Sequence, residues 1–148
     1  MMSEGDTLGN QKAPLVLMAD DDDDDCMLAK DAFGESGAYG AIQCVENGIE
    51  LMDFLARTGK YQKEAVPLPA LILLDLNMPR KDGRQALKEI KSIAAFQRIP
   101  VVVLTTSREE KDIVFCREMG ANSFITKPSS FGEWVDIMKS LTNDYLAP

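Results

Sequence analysis

The sequence predicts an α/β fold: a five-stranded, all-parallel sheet with helices on both faces. Three observations predict it. Short apolar runs alternate five times with stretches that carry apolar residues at helical spacing. The best of these runs, at residues 15–19, 70–74 and 100–104, are apolar on consecutive positions, as strands buried on both faces are. The chain has 148 residues, enough for one domain with its own core and too few for two. Residues 1–13 read as a mobile tail and 14–148 as the domain.

The elements follow in order. LVLMA at 15–19 is a buried strand, and residues 25–36 are a helix with Leu28, Ala29, Ala32 and Phe33 on one face. Residues 37–44 end in a second strand with Ile42, Cys44 and Val45. Residues 50–55 are helical through Leu51, Met52 and Leu55, and a longer connection with Gly59, Pro67 and Pro69 runs to the third strand at 70–74. Residues 84–93 form a helix with Leu87 and Ile90 inward, before the β-branched strand at 100–104. Ser107 and Glu110 have capping-box spacing, and Gly120 closes the helix they would open. Residues 122–126 are the fifth strand. Ser130 and Glu133 form a second capping box ahead of the stripe Trp134, Ile137, Met138 and Leu141. Right-handed crossovers leave few ways to wind five such units, and the flavodoxin-like (βα)5 order 2-1-3-4-5 is the expected one.

Charge narrows the function. Asp plus Glu number 24 and Lys plus Arg 16, a net charge of −8. Such a chain is a poor nonspecific binder of nucleic acid or anionic membrane. Six of the acids are consecutive, at 20–25; without them the balance would be 18 against 16. The chain has no histidine, which excludes His metal sites, Ser-His and Cys-His catalysis, and a phosphohistidine on this chain. Cys26, Cys44 and Cys116 are odd in number with no CxxC, and read as buried small apolar residues in a reducing compartment. There is no signal-peptide pattern and no apolar run near the ~20 residues of a membrane span. The expected location is the cytoplasm.

In a sheet of this kind the site forms at the carboxyl ends of the strands. Asp20 and Asp21 follow the first strand, Asp75 the third, Thr105 the fourth and Lys127 the fifth. Three carboxylates held together repel until a cation or a proton relieves them. Oxygen ligands without His or Cys favour a hard ion, Mg²⁺ or Mn²⁺. A metal, an ammonium and a hydroxyl around one carboxylate describe phosphoryl transfer, with Asp75 as nucleophile.

Five pieces, in order, carry a resemblance: ADD at 19–21, LLDLNMP at 73–79, DG at 82–83, VVVLTTS at 101–107 and GANSFITKP at 120–128. Together they make the chain resemble a two-component response-regulator receiver domain over about residues 13–142. The resemblance implies that Asp75 accepts a phosphoryl group from a sensor histidine kinase in a phosphorelay, and that catalysis extends only to phosphorylation and dephosphorylation of Asp75 itself. It makes Asp20 and Asp21 the acidic pair. Asp21, Asp75 and the backbone carbonyl of Asn77 become ligands of Mg²⁺, with Mn²⁺ as substitute. Thr105 and Lys127 take the phosphoryl oxygens, Lys127–Pro128 is a cis peptide, and Asn77 and Ser107 flank the phosphoryl group and tune its hydrolysis. Phe124 takes the aromatic switch position, where it offers no hydroxyl. DLNMPRKDGR and the unbroken VVVLTTS further resemble the small response regulators paired with cyanobacterial phytochromes, which implies a phytochrome-type kinase. A homodimer through the fourth helix, fifth strand and last helix is also expected.

Other readings fit less well. A haloacid-dehalogenase-type phosphatase or phosphotransferase needs Asp-x-Asp, and Asp75-Leu-Asn77 lacks the second acid. An FMN carrier needs a Ser/Thr/Gly-rich phosphate loop where this chain has aspartates. An EF-hand needs Gly at its sixth position. Within the run, Asp23, Asp24 and Asp25 are expected to favour the helix start and face water; Asp22 is left open. Residues 113–116 are apolar in succession, so one helix face cannot bury them all, and Phe115 or Val114 is left for an interface or for solvent.

Overall fold

The computed structural model describes residues 13–63 and 67–146. All but the last residue of the expected tail lies outside the described residues. Five strands, β1 (Leu15–Ala19), β2 (Ala41–Val45), β3 (Leu71–Leu74), β4 (Val101–Thr105) and β5 (Ser123–Thr126), form one parallel sheet in the order β2-β1-β3-β4-β5. The helices are α1 (Asp23–Glu35), α2 (Gly48–Ala56), α3 (Gly83–Ser92), α4 (Glu110–Glu118) and α5 (Phe131–Leu141). A 3₁₀ turn at Gly59–Tyr61 and a π turn at Thr142–Leu146 complete the described elements. This is the expected flavodoxin-like (βα)5 architecture.

The period-2 geometry of the strands sorts their side chains to two faces. Leu17, Ala19, Ile72, Leu74, Val101 and Val103 pack with α2, α3 and Cys116 of α4. Val16, Met18, Leu71, Leu73, Val102 and Leu104 pack with Ala29, Ala32 and Phe33 of α1 and Trp134, Met138 and Leu141 of α5. Strands β1 and β3, and β4 up to the Thr105 that ends it, are apolar at every position because both faces are covered. The edge strands β2 and β5 are only half-buried and read accordingly weaker.

Most helix starts have a local cause. Asp22 caps α1 by accepting from the amides of Asp24 and Asp25, which settles the residue left open. Asn47 and Asp82 cap α2 and α3. Ser130 accepts from the Glu133 amide, and the Glu133 carboxylate returns to the Ser129 amide, so the second capping box forms one residue wider than its ideal. The first does not form. Helix α4 has Glu109 as N-cap with no side-chain bond. Ser107 instead donates its hydroxyl to Asp112 at 2.7 Å and accepts from the Glu109 amide at 3.3 Å rather than from that of Glu110.

The cysteines correct the expectation most. Cys116 is a buried free thiol, but Cys26 of α1 and Cys44 of β2 form a disulfide. Their separation of 18 residues has no recognisable spacing; the winding of α1 beside β2 brings their Cα atoms to 6.5 Å. Closing a loop of that length stabilises the fold by about 3 kcal/mol. On α4, Ile113, Val114 and Phe115 are all half-buried, and Phe115 packs onto the core rather than projecting as surplus. Tyr61, in the long connection, is buried edge-on against Phe54 with ring centroids 5.0 Å apart.

Candidate functional site

The carboxyl ends of β1, β3, β4 and β5 meet at one edge of the sheet. Asp20 and Asp75 are buried there, whereas Asp21, one residue further on, is exposed. Carboxylate oxygens of these three lie within 4.8 Å of one another. Lys127 reaches in from the end of β5. Its Nζ is 2.8 Å from Asp20 Oδ2, 3.3 Å from Asp75 Oδ2 and 2.7 Å from Asp25 Oδ2. Thr105 is fully buried at the end of β4, in register with Thr126, and its carbonyl accepts from the Lys127 amide at 2.8 Å.

Burial of Asp20 pushes its carboxyl up to about 6, and the neighbouring Asp75 adds to the rise; Lys127 and the Asp22 amide pull the other way without cancelling it. Asp20 Oδ2 is buried with no aligned hydrogen-bond donor; Lys127 meets it as a charge. For Lys127, burial favours the neutral amine, but its close contacts with Asp20 and Asp25 and the charges of Asp20 and Asp75 outweigh it, so the ammonium is held more firmly than usual. An under-satisfied buried carboxylate beside two others is a donor set suited to a hard divalent cation.

The remaining expected residues ring this centre. The Asn77 amide donates to Asp75 Oδ1 at 3.4 Å, which orients the carboxylate. Ser107 donates its amide to Thr105 Oγ1 at 3.4 Å. Phe124 is half-buried on β5 and lines a groove of about 290 Å³ with Ile113 and Cys116 of α4. Among the described residues no peptide bond is cis, so Lys127–Pro128 is trans, against the expectation.

Sequence reasoning missed two features. Asp25 was assigned to solvent, yet it makes the shortest contact of Lys127, across 102 residues. One signal was available: Asp25 borders the inward stripe Cys26, Ala29, Ala32 and Phe33, so with Asp22 as cap it faces the pocket. The second is Asp112, buried on α4, which takes a two-pronged pair from Arg84 of α3 with both contacts at 2.9 Å. Arg84 and Ser107 hold its carboxyl below the usual range. It ties the loop after Thr105 to α3, and nothing in its local sequence announces it.

The fold, the acidic cluster and the lysine define a class. The chain belongs to the response regulator receiver domain family, which matches residues 16–139. Its relatives are specific within that family. It is 35% identical over 132 residues to response regulator Rcp1 of Synechocystis sp., spanning 89% of this chain and 88% of that one. The phosphorylated cyanobacterial phytochrome response regulator RcpA superposes with a TM-score of 0.83 at 36% identity, over 90% of this chain and 94% of that one. The Mn²⁺-bound form of Rcp1 gives 0.79 at 35% identity, over 88% and 92%. The chain is thus a receiver-domain response regulator of phosphorelay signalling, homologous to phytochrome response regulators. As a receiver domain it takes its phosphoryl group from a histidine kinase. The dehalogenase-type alternative is set aside. No helix among the described residues is long and apolar enough to cross a membrane.

Proposed function

We propose that Asp75 is the phosphoryl acceptor and that the donor is a phytochrome-type histidine kinase, acting in the cytoplasm. One observation carries the assignment: Asp75 follows the central strand β3, between the acidic pair that follows β1 and Thr105 at the end of β4, and is there a buried carboxylate of the cluster that also meets Lys127 at 3.3 Å. An Asp75 oxygen attacks phosphorus, and the kinase imidazole leaves. Lys127 neutralises a phosphoryl oxygen, and Thr105 turns its hydroxyl from the Ser107 amide toward the phosphoryl group. A divalent ion, Mg²⁺ or Mn²⁺, fits the under-satisfied carboxylates; Asp21, Asp75 and the Asn77 carbonyl would hold it, with Asp20 behind them. When bound it supplies positive charge to the phosphoryl oxygens and to the crowded acids. Asn77 and Ser107 flank the phosphoryl group and set the lifetime of the bond. No substrate other than Asp75 itself is turned over.

Movement of Thr105 releases the Ser107 end of the Asp112 pair and shifts α4, β5 and α5, with Phe124 as the switch residue between them. This is a population shift between two arrangements of one face. That face forms a homodimer, and the acidic chain does not bind nucleic acid directly. The Mg²⁺-dependent transfer of labelled phosphate from a phytochrome-type kinase tests the partner, and no transfer above that from unrelated kinases would reject it.

Two further results are expected. Asp21→Ala weakens Mn²⁺ binding by about tenfold or more, since it removes a direct ligand, while Asp24→Ala changes it less than about twofold. Isothermal titration compares them, and equal losses would contradict this division of the aspartate run. Sedimentation equilibrium finds a dimer that substitutions on α4 and α5 dissociate. A monomer at high concentration, phosphorylated or not, would refute the interface.

A further inference from the structure

The disulfide completes a ring along one side of the acidic pocket. From Cys44 the chain passes to Val45, whose carbonyl accepts from the Asp20 amide at 3.0 Å. Asp20 Oδ1 accepts from the Asp22 amide at 2.9 Å. Asp22 Oδ1 accepts from the amides of Asp24 at 2.9 Å and Asp25 at 3.2 Å. Asp25 is bonded to Cys26, and the Cys26–Cys44 bond closes the circuit. Apart from the chain itself, the other links in this ring are hydrogen bonds: one between the buried residues Asp20 and Val45, and the Asp22 bonds, which are exposed or half-exposed. Each cysteine is one residue from a group that touches the pocket: Asp25 holds Lys127, and Val45 holds Asp20.

We propose that Cys26–Cys44 is a reversible thiol–disulfide site, acted on by a dithiol reductant, whose oxidation state sets the affinity of the acidic pocket for a divalent cation. In the reducing compartment proposed above, disulfides are as a rule transient or redox-sensing. Cys44 is half-buried and Cys26 buried, so exchange begins at Cys44. A thiolate of the reductant attacks the Cys44 sulfur, making a mixed disulfide and expelling Cys26 as a thiolate that takes a proton. The second thiolate of the reductant then attacks its own sulfur in the mixed disulfide. Cys44 leaves as a thiolate and is protonated. The chain gains two electrons and two protons, and the reductant departs as a disulfide. Oxidation is the reverse, with a disulfide of the same class as electron acceptor. Opening the ring frees the first turn of α1, so Asp20, Asp22 and Asp25 lose their fixed spacing and the pocket its preorganisation.

The cation part rests on the metal pocket proposed above, and the experiment separates the two. The full chain is prepared oxidised with glutathione disulfide and, in parallel, reduced with dithiothreitol. Thiol titration of denatured protein should find one free thiol before reduction, Cys116, and three after it. Mn²⁺, followed by electron paramagnetic resonance, should bind the oxidised form about five- to tenfold more tightly, and saturating Mn²⁺ should favour the disulfide by the same factor. Cys26→Ser with Cys44→Ser should bind like the reduced form whatever the treatment. Three thiols in the oxidised preparation, or equal Mn²⁺ affinities in the two forms, overturn the proposal. If neither form binds Mn²⁺, the metal pocket fails and amide exchange decides the ring. Faster exchange at Asp22, Asp24 and Asp25 after reduction upholds it, and unchanged exchange rejects it.

Discussion

Asp75→Asn abolishes phosphorylation. With a small donor such as acetyl phosphate and Mg²⁺ present, labelling of the native chain is stopped by EDTA, and labelling of the variant falls by more than about 10³-fold. The reason is chemical. A carboxamide keeps the shape of the carboxylate and its place beside Lys127 and the Asn77 amide, but it has no anionic oxygen to attack phosphorus. The loss is therefore not one of folding, and circular dichroism of the variant is unchanged. Phosphate retained on the variant, or on the native chain with the metal removed, would place the acceptor elsewhere.

The second large effect is on the fold beneath the site. Gly83 opens α3 against the backbone that follows β3. A Cβ there would collide with the Asp75 carbonyl and lie 2.7 Å from Leu76 Cα. Neither partner is a flexible side-chain end, so neither can give way cheaply. The Gly83 amide also donates to the Leu76 carbonyl at 2.9 Å, which holds the two segments at this distance. Gly83→Ala destabilises the domain by about 3 kcal/mol, at the upper end of ordinary overpacking. For a chain of this size that lowers the melting temperature by roughly 10 °C. Because the segment pushed away is that of Asp75, metal binding falls even where the variant is folded. A melting temperature within about 1 °C of the native value would show that the backbones part more easily than this packing argument allows.

The dyad of residues 82 and 83 shows how a motif becomes legible. Asp82 caps α3 by accepting from the Arg84 amide, and Gly83 permits the helix to touch the strand end. Each has one local or steric reason, so a short string of letters suffices to mark both. The same holds for Asp75, which follows a strand whose apolar run is unmistakable, whereas Lys127 follows the weaker β5 and is lifted only by the other strand-end residues. Asp25 was misjudged because its neighbours obscured it. In a run of six identical acids no letter distinguishes the cap, the metal-facing pair and the one that turns inward. Ser107 was misjudged because its strongest partner, the Asp112 carboxylate, is supplied by packing against Arg84 rather than by spacing.

The class of the fold, the order of its elements and the carboxylates, hydroxyl and ammonium at the strand ends can be read from the chain alone. These follow from periodicity and from the rule that parallel strands deliver their ends to one edge, both of which are properties of the chain read in order. The Cys26–Cys44 bond, the turn of Asp25 to Lys127 and the burial of Asp112 against Arg84 arise from packing. Each of these joins residues that no local repeat relates, 18, 102 and 28 positions apart. Their pairing depends on which side chains the packing of helices on the sheet leaves facing one another, and that geometry exists only once the core has closed.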